Sequence, residues 1–389
     1  KKVCSLSNSY DVIIIGGGFL GLSSAYELAK GGSRVLLLES GDIGSGTSAS
    51  CSGRAQVCEG HLDPLNIRMI VDGLDRFTGL EDELGTTFDW RKSGLFLIIR
   101  TQDSWNHWKE RETILTSAGI PTQVIDRVAL QEAEPYMNTS GLLGAVYTIE
   151  GMLNPLKFSL AYADAARRSG AVIKGNSRVT GFETNHGRIT AVNTINQTYS
   201  CEKVAVMTGA WVPEITRMVN VDLPIHHTHA EAIVTEPIPK MIFNNVEISD
   251  FYETIHGKQR AVAIGVHPDL HGSIDVTEAV SKTDSFHKHV SAWGITSLSR
   301  ELIELYPFLN RVRVVRSWGR PTCFTPDEEP IIGWLPQIEN MYVAASLVET
   351  ITVVPLLSKW MANTIQGQNP PFSLEQFSPN RFVNGWNWE

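Results

Sequence analysis

Near its start, the chain carries the stretch IIIGGGFLGLSSAYELAKGGSRVLLLES, residues 13–40, whose order of segments restricts the fold more than any other feature. An apolar run that ends at Ile15 is typical of a strand buried on both faces of a parallel sheet. Apolar residues at helical spacing follow, and a second apolar run ends at Glu39. The stretch predicts a strand–helix–strand unit, in which glycines in the pattern G-x-G-x-x-G separate the first strand from the helix: Gly16, Gly18 and Gly21.

Each of these glycines has a physical role in a turn that binds a dinucleotide. Gly16 allows the tight turn, Gly18 lets the backbone approach a pyrophosphate, and Gly21 lets the helix pack closely on the strand. The N-terminus of the helix faces the phosphates and stabilises their charge. Glu39, at the end of the second strand, is positioned to accept a hydrogen bond from a ribose hydroxyl. We therefore predict a dinucleotide site rather than a chance glycine-rich turn.

The next segment favours FAD over NAD as the dinucleotide. Residues 40–60, SGDIGSGTSASCSGRAQVCEG, form a long run of mostly small side chains directly after the ribose acid. An NAD domain usually proceeds to its next helix, whereas a loop of small residues can wrap the flavin end of a larger cofactor. Arg54 ends this loop and is expected either to face the flavin or to be solvated.

From these residues onward, the sequence resembles the D-amino-acid oxidase/dehydrogenase family of FAD enzymes over nearly its whole length. Within that family, the loop GTSASCSG is similar to the branch of hydroxyproline, opine and amino-acid dehydrogenases and of glycine and sarcosine oxidases. The segments that carry the resemblance are the glycine motif with Glu39, GTSASCSG (46–53), EGMLNPLKFSLAYADAARRSGAVI (150–173), VAVMTGAWVPEI (204–215) and RSWGRPTCFTPDEEPIIG (316–333).

The resemblance implies an α/β fold combined with antiparallel β structure, of the glutathione-reductase-like FAD type. A Rossmann-like FAD-binding domain is expected from residues 1–87, 148–222 and 318–389, and a mixed-sheet substrate domain from residues 88–147 and 223–317. The apolar runs of the second set support this division, because none is followed by a clear crossover helix: 93–99, 230–236 and 259–266.

The resemblance also implies which residues contact FAD. Val179 is expected to give backbone contacts to the adenine, and Gly209 to allow close approach of the backbone. In the sarcosine-oxidase branch a cysteine tethers the flavin, but Arg320 occupies its place here and Cys323 lies three residues away, so we predict noncovalent FAD. The predicted contacts are Gly16, Gly18, Phe19, Leu20, Gly21, Glu39, Ser40, Gly46, Thr47, Ser48, Cys51, Ser52, Gly53, Val179, Thr208, Gly209, Trp211, Val348, Glu349, Thr350, Ile351 and Thr352.

The expected reaction is FAD-dependent oxidation of an amino acid, imino acid, N-substituted glycine or opine. A hydride passes from the carbon bearing the amine to flavin N5, and the resulting imine is hydrolysed. Arg320 is a candidate anchor for the substrate carboxylate, because a guanidinium binds a carboxylate through two parallel hydrogen bonds. The alternative is a surface ion pair of Arg320 with an acid of residues 327–329, and Thr322 occupies the position of the arginine in glycine-oxidase-like members.

Two further side chains are candidates for substrate contact, Tyr252 and His229. Tyr252 precedes a predicted strand of the substrate domain, where relatives place tyrosines that contact the carboxylate. His229 lies in HHTHAEA, residues 226–232, whose histidines alternate between the two faces of a strand. Because the segment lacks a suitably placed carboxylate, we predict no metal site.

The loop before the last helix departs from the family pattern. Relatives have a glycine-rich loop there, whose amides and helix N-terminus meet the flavin C2 carbonyl and stabilise the reduced ring. Residues 346–352 contain no glycine, and Val348 and Thr350 stand where glycines are expected. The loop could follow another path, seat the flavin differently or weaken catalysis, so an FAD-binding subunit with little turnover is the alternative function. Glu349 is expected to point away from the C2 carbonyl, and Pro355 to start the helix.

The charge, the apolar stretches and the cysteines of the chain restrict which partners and which cellular compartment are expected. The net charge of −9, without a long basic run, argues against nucleic acid as the main partner. No apolar stretch reaches the roughly 18 residues of a membrane span, and residues 1–9 lack the apolar core of a signal peptide. The five cysteines include no Cys-x-x-Cys pair, so no iron–sulfur cluster is predicted. We expect a cytoplasmic protein in a hetero-oligomer with other redox subunits or with an electron carrier.

Overall fold

A computed structural model describes residues 9–256, 258–283, 285–347, 349–383 and 385–386; at Tyr252 and His256 the description is of the backbone. The strands in these ranges are β1 (Ser9–Ile15), β2 (Val35–Leu38), β3 (Arg54–Ala55), β4 (Arg91–Ile99), β5 (Thr122–Asp126), β6 (Gly144–Met152), β7 (Val172–Lys174), β8 (Val179–Asn185), β9 (Arg188–Thr194), β10 (Thr198–Val206), β11 (His226–Thr235), β12 (Asn245–Ile248), β13 (Arg260–Pro268), β14 (Ile274–Lys282), β15 (Val314–Phe324), β16 (Ile331–Leu335) and β17 (Ile338–Ala345).

The helices are α1 (Phe19–Lys30), α2 (Pro64–Asp75), α3 (Leu80–Leu84), α4 (Gln102–Ser117), α5 (Arg127–Ala133), α6 (Pro155–Arg168), α7 (Val212–Thr216), α8 (Phe251–His256), α9 (Ala292–Leu305) and α10 (Thr350–Ile365). Among the described residues, none of these helices combines the length and the apolar character that crossing a membrane requires.

The first sheet contains the predicted strand–helix–strand unit. Its strand order is β16-β17-β10-β1-β2-β7, and β9 joins β8 to β10. β1 runs parallel to β2 and to β10, and β17 runs parallel to β10. Ile13 and Ile14 point to opposite faces of β1 and are both fully buried, because Ile14 packs with α1, α6 and α10 and Ile13 with β8, β9 and α7. The predicted Rossmann-like sheet is thereby confirmed.

The second sheet is largely antiparallel and contains all three apolar runs predicted for it. Its strand order is β15-β11-β14-β13-β12-β4-β6-β3, with β5 beside β6. Only β12 and β4 pair in parallel among the described strands of this sheet. Leu298 and Leu302 of α9 pack against Ile233 and Val276 on one face of the sheet. The predicted combination of a dinucleotide-binding fold with a second, mixed sheet is confirmed.

The chain passes back and forth between the two sheets. It leaves the first sheet after β2, returns at β7, leaves again after β10 and returns at β16. β15 pairs with β11 along nearly its whole length, from Val314 to Phe324, so the domain boundary predicted at residue 318 falls inside a strand of the second sheet. The predicted division into residue ranges therefore stays a prediction, although each range contributes to the expected sheet for most of its length.

Candidate active site

A cavity of about 790 Å³ lies where the two sheets meet. One wall comes from the turn after β1 and the loop after β2, and the opposite wall from β12, β14 and β15. Its position at the carboxyl ends of parallel strands is where open α/β sheets bind ligands. The volume is in the upper part of the range of about 300–1,000 Å³ that is usual for ligand sites.

The glycine turn forms one end of this cavity. Gly16 has a φ of +113°, and a Cβ there would lie 2.4 Å from the Met207 carbonyl oxygen, so only glycine fits. A Cβ on Gly21 would lie 1.9 Å from the Gly16 carbonyl oxygen. Gly21 therefore packs α1 against β1 and does not line the cavity. Gly18 is the N-cap of α1 and has no side chain; Phe19 N in the first turn donates instead to Ser48 Oγ, and these residues line the cavity where a phosphate would meet the helix N-terminus.

Glu39 holds the two loops at this end of the cavity together. One carboxylate oxygen, Oε2, accepts a hydrogen bond from Gly17 N at 2.7 Å. The other, Oε1, accepts from Gly41 N at 2.8 Å and from Ser40 Oγ at 3.0 Å. Glu39 lines the cavity and is half-buried, so its carboxylate is fixed where the ribose of a dinucleotide is expected.

The small-residue loop 46–53 connects α1 to β15. Ser48 Oγ accepts a hydrogen bond from Phe19 N at 3.0 Å, and Thr47 Oγ1 donates to the Pro321 carbonyl at 2.6 Å. The Ser50 carbonyl accepts from Trp318 Nε1 at 2.8 Å. The loop thus forms one side of the cavity along its length, as a segment that wraps a long ligand must.

The structure brings most of the predicted FAD contacts together around the cavity. Gly53 lies outside the lining and takes a φ of +82°, where a Cβ would meet the Leu153 carbonyl. Thr352 is also outside and donates to the Gln56 carbonyl, and Val348 lies outside the described residues. The predicted contacts that line the cavity are Gly16, Gly18, Phe19, Leu20, Glu39, Ser40, Gly46, Thr47, Ser48, Cys51, Ser52, Val179, Thr208, Gly209, Trp211, Glu349, Thr350 and Ile351.

Arg320 lies at the far end of the cavity and is 5% exposed. Its Nη1 donates to the Ser50 carbonyl at 2.9 Å, and its Nη2 forms an ion pair with the Glu278 carboxylate. Arg320 does not form the predicted alternative contact, a surface ion pair with an acid of residues 327–329. Asp327 pairs with Arg381 at 2.7 Å instead. Glu278 was missed by sequence reasoning, since it lies on a different strand, 42 residues before Arg320.

A buried cluster around Arg54 was also missed by sequence reasoning. Arg54 is not solvated, since its side chain is 2% exposed; it lines the cavity and forms ion pairs with Glu59, Glu150 and Glu247. Burial raises the pKa of Glu59 to about 7. Burial also acts to raise the pKa of Glu247, but Arg54 and His267 outweigh it and lower that pKa to about 2. One guanidinium therefore faces three carboxyl groups, and the surplus carboxyls retain protons more readily than usual.

The glycine-free loop before α10 adopts left-handed backbone without glycine. Ser346 has a φ of +56° and Glu349 a φ of +53°, both in the left-handed region, whereas Thr350 is already the first residue of α10 and Val348 lies outside the described residues. Glu349 is the N-cap of α10, and its carboxyl Oε1 accepts from Glu59 N at 3.1 Å and Gly60 N at 3.2 Å. Burial raises the pKa of Glu349 to about 8. The side chain is directed at residues 59–60 and is mostly neutral at pH 7.

Pro355 does not start the last helix, and that prediction is wrong. α10 begins at Thr350, and Pro355 lies inside it. A proline is tolerated best in the first turn, where the backbone N–H has no partner in the helix. Pro355 is the sixth residue of α10, so the helix has already continued past its first turn.

Of the two remaining substrate candidates, His229 lies outside the cavity lining. Its ring is buried, its Nε2 bonds to the His289 carbonyl at 2.8 Å, and its centroid is 4.1 Å from that of His287. Burial lowers the pKa of His229, so the ring is neutral at pH 7. Tyr252 lies in α8, and its side chain is outside the description. Within the described ranges, no group of three or more His, Cys, Asp or Glu residues is arranged to hold a metal ion.

Comparisons with known proteins agree with this geometry. A family model described as FAD dependent oxidoreductase (DAO) matches residues 11–364. Glycine oxidase of Geobacillus kaustophilus is 25% identical over 97% of this chain and 98% of its own length. Sarcosine oxidase subunit beta of Rhodobacter capsulatus is 24% identical over 96% of this chain and 90% of its own. Mitochondrial dimethylglycine dehydrogenase of Rattus norvegicus is also 24% identical over 96% of this chain, which however spans only 45% of that protein.

Solved structures show the same fold. L-proline dehydrogenase from P. horikoshii matches 97% of this chain and 99% of its own, with a TM-score of 0.87 and 23% identity. Glycine oxidase from Geobacillus kaustophilus matches 96% of this chain and 99% of its own, with a TM-score of 0.87 and 24% identity. At these identities, the likeness extends to the fold and not to the substrate.

Proposed function

Because the chain belongs to the DAO family of FAD dependent oxidoreductases, we propose that it oxidises an amino acid, an imino acid, an N-substituted glycine or an opine. The hydride leaves the carbon that bears the amine, the nitrogen lone pair forms the C=N bond, and water hydrolyses the imine. FAD, when bound, supplies the hydride acceptor at N5. The observation that carries the proposal is one cavity that runs from the glycine turn to Arg320.

The residues around the cavity fit FAD. The turn at Gly16, where a Cβ would not fit, and the N-terminus of α1, whose N-cap Gly18 has no side chain, suit a pyrophosphate. In the proposed arrangement Glu39 binds the ribose and Val179 lies near the adenine. The loop at residues 346–350 would meet the flavin at the other end. Arg320 would hold the substrate carboxylate, and contact by Tyr252 or His229 remains a proposal.

FAD is proposed to bind without a covalent link. Among the described residues, the cysteines that line the cavity are Cys51 and Cys323. Burial raises the pKa of the Cys51 thiol to about 11 and also raises that of Cys323. A protonated thiol is a poor nucleophile, so neither cysteine is activated for attachment to a flavin ring.

We expect Glu39→Ala to weaken FAD binding by about 1–3 kcal/mol, the usual loss when a charged hydrogen-bond partner is removed. The dissociation constant is measured by titrating apoprotein with FAD and following flavin fluorescence. Asp42→Ala is the matched control, because it removes an exposed carboxylate from the same loop, outside the cavity lining. Equal affinities for the two variants would remove Glu39 from the ribose site.

We expect the purified holoprotein to be yellow, to release all its FAD on acid denaturation, and to lose its visible flavin absorbance on anaerobic addition of a substrate. The panel contains D- and L-amino acids, cyclic imino acids, N-methyl amino acids and opines. Loss of absorbance identifies both the reaction and the substrate class. Flavin that stays with the precipitated peptide would contradict noncovalent binding, and an unchanged spectrum with the whole panel would contradict the proposed reaction.

A second candidate function is an FAD-binding subunit with little turnover of its own. The loop before α10 favours it, because Ser346 and Glu349 adopt strained left-handed backbone and a buried carboxyl lies beside the helix N-terminus. The same titration separates the two functions, since this subunit would bind FAD stoichiometrically and show no reduction by any member of the panel.

A redox partner is proposed for either function. Among the relatives, sarcosine oxidase subunit beta is by name one subunit of a larger enzyme.

Cys51, Cys58, Cys201 and Cys323 are free thiols, which suits a reducing compartment, and we propose a cytoplasmic location on this basis.

A further inference from the structure

The far end of the cavity differs from a simple carboxylate-binding pocket, because its guanidinium groups already have carboxylate partners. Arg320 pairs with Glu278, and Arg54 pairs with Glu59, Glu150 and Glu247. Glu278 and Glu247 line the cavity, and their side chains are only 14% and 12% exposed. A substrate that enters this end therefore meets two partly exposed carboxylates together with the two arginines.

Further acidic and basic groups surround this end of the cavity. Asp275, on the same strand as Glu278, interacts with both Arg320 and Glu278, and burial raises its pKa to about 6. His267 Nε2 lies 3.2 Å from Glu247 Oε1, and Lys288, whose Nζ donates to the Ser45 carbonyl, also lines the cavity. Among the groups named here, five carboxyl groups thus face four basic groups: Glu59, Glu150, Glu247, Asp275 and Glu278 against Arg54, His267, Lys288 and Arg320. Buried carboxyl groups without a counter-charge are costly, and an incoming cation would relieve that cost.

The side chain of Glu247 is held in this wall by groups on the two neighbouring strands. Glu247 of β12 lies opposite Gly265 of β13, which lies opposite Thr277 of β14. A Cβ on Gly265 would lie 2.6 Å from His267 Nε2, 2.7 Å from Thr277 Oγ1 and 3.1 Å from Glu247 Oε1, so the glycine makes room for these three side chains to pack together. Thr322 Oγ1 on β15, also in the cavity lining, is a buried polar atom without a hydrogen-bond partner among the described residues. Glu247 is therefore fixed in position beside His267 and Thr277, and Thr322 adds to the cavity lining a hydroxyl without a partner in the described parts of the chain.

From this arrangement we infer that the substrate carries a second cationic group in addition to the amine that is oxidised, and that Glu278 and Glu247 receive it. The inference rests on the proposed amine oxidation. A substrate carboxylate that approaches Arg320 also approaches Glu278, and the two negative charges repel. The reacting amine cannot offset this repulsion, because it must be neutral for its lone pair to form the C=N bond. A side-chain ammonium or guanidinium can do so, and the substrate class is therefore a basic amino acid or its N-substituted derivative.

The first test compares three amino acids of similar size whose side chains end in a cation, a methyl group or an anion: lysine, norleucine and aminoadipate. Both enantiomers of each are mixed anaerobically with the holoenzyme, and the second-order rate constant of flavin reduction is measured. Lysine should exceed norleucine by about tenfold or more, the size of one charged hydrogen bond in a partly buried site. Equal rate constants, or a preference for aminoadipate, would overturn the inference while leaving the proposed oxidation intact.

The second test assigns the preference to its residues. Glu278→Gln and Glu247→Gln keep the shape of the side chain and remove its charge, so each should lower the preference for lysine over norleucine by about tenfold. Glu253→Gln is the matched control, because Glu253 is an exposed acid of α8 outside the cavity lining. FAD content shows that each variant has folded. If the wild type and the three variants show the same preference for lysine over norleucine, neither Glu278 nor Glu247 binds the side-chain cation.

A binding measurement keeps the test independent of turnover. Diaminobutane, butylamine and butyrate are added separately to the oxidised holoenzyme, and the melting temperature is recorded. Diaminobutane should stabilise the wild type most, and this advantage should be lost in Glu278→Gln. If no amino acid reduces the flavin but diaminobutane still stabilises selectively, the proposed oxidation fails and the cation site stands. If butyrate stabilises as well as diaminobutane, the cation site is contradicted.

Discussion

Replacing Arg54 with methionine is expected to lower the free energy of unfolding by about 3–5 kcal/mol, the cost of leaving buried charges without their partner. The side chain is of similar length and apolar, so packing changes little while the ion pairs to Glu59, Glu150 and Glu247 are lost. Glu150 is fully buried, and Asn245 would then be its one remaining hydrogen-bond donor among the described residues, at 2.8 Å. The measurement is urea-induced unfolding at saturating FAD, followed by tryptophan fluorescence.

The control and a rescue variant make the result specific to charge. Arg188→Met removes an exposed arginine that pairs with the exposed Glu339 and should cost less than about 1 kcal/mol. Adding Glu150→Gln to Arg54→Met should recover part of the loss, because one unpaired carboxyl is removed. A loss no larger than that of the control would show that the surplus carboxyls take up protons without cost.

The second large effect depends on pH and belongs to Glu349. Burial raises its pKa to about 8 from an ordinary value of 4.5, so the folded state keeps a proton that the unfolded state loses. The stabilisation is complete below about pH 4.5 and is lost as the pH rises through 8. Glu349→Gln stays neutral at every pH and can still accept from Glu59 N and Gly60 N. Relative to the wild type, the variant should therefore gain stability on the order of 3 kcal/mol between pH 5 and pH 9.

Unfolding by urea at several pH values checks this difference. Glu339→Gln carries the same substitution at an exposed position, and its stability relative to the wild type should hardly vary with pH. If the curves of Glu349→Gln and the wild type stay parallel from pH 5 to pH 9, Glu349 is ionised throughout in the folded protein. It would then place a negative charge at the N-terminus of α10.

The strand–helix–strand unit was predictable because its determinants are local. The run to Ile15, the glycine spacing and Glu39 lie within one short stretch, and the structure has β1, α1 and β2 at these places. Each constraint there comes from a neighbour in sequence: the turn at Gly16, the helix packing at Gly21 and the carboxylate at the end of β2. Patterns of this kind need no knowledge of the rest of the chain.

The ion pairs of Arg320 and Arg54 in the cavity were not predictable, because strand register across the second sheet determines which residues meet. Arg320 was found from the resemblance, but its partner Glu278 is on another strand, and Arg54 reaches Glu150 through the pairing of β3 with β6. In sequence, each of these acids looks like an ordinary solvated residue. The domain boundary near residue 318 was uncertain for the same reason, since the pairing of β15 with β11 cannot be derived from β15 alone.

The repeated passage of the chain between the sheets has a consequence for biosynthesis. Ile15 at the glycine turn is opposite Val206, and Val206 is opposite Val343. The cofactor site is therefore assembled from strands that lie far apart in the sequence: β1, β10 and β17. During synthesis on the ribosome, the glycine turn emerges early, but β1 lacks its neighbour β10 until residue 206 has been made. The first sheet is incomplete until β17 has also been made. Folding that depends on such distant pairings is slow. The cofactor is therefore expected to be loaded only after β17 has been made, and removal of β1 or of β17 should abolish FAD uptake rather than release a smaller functional domain.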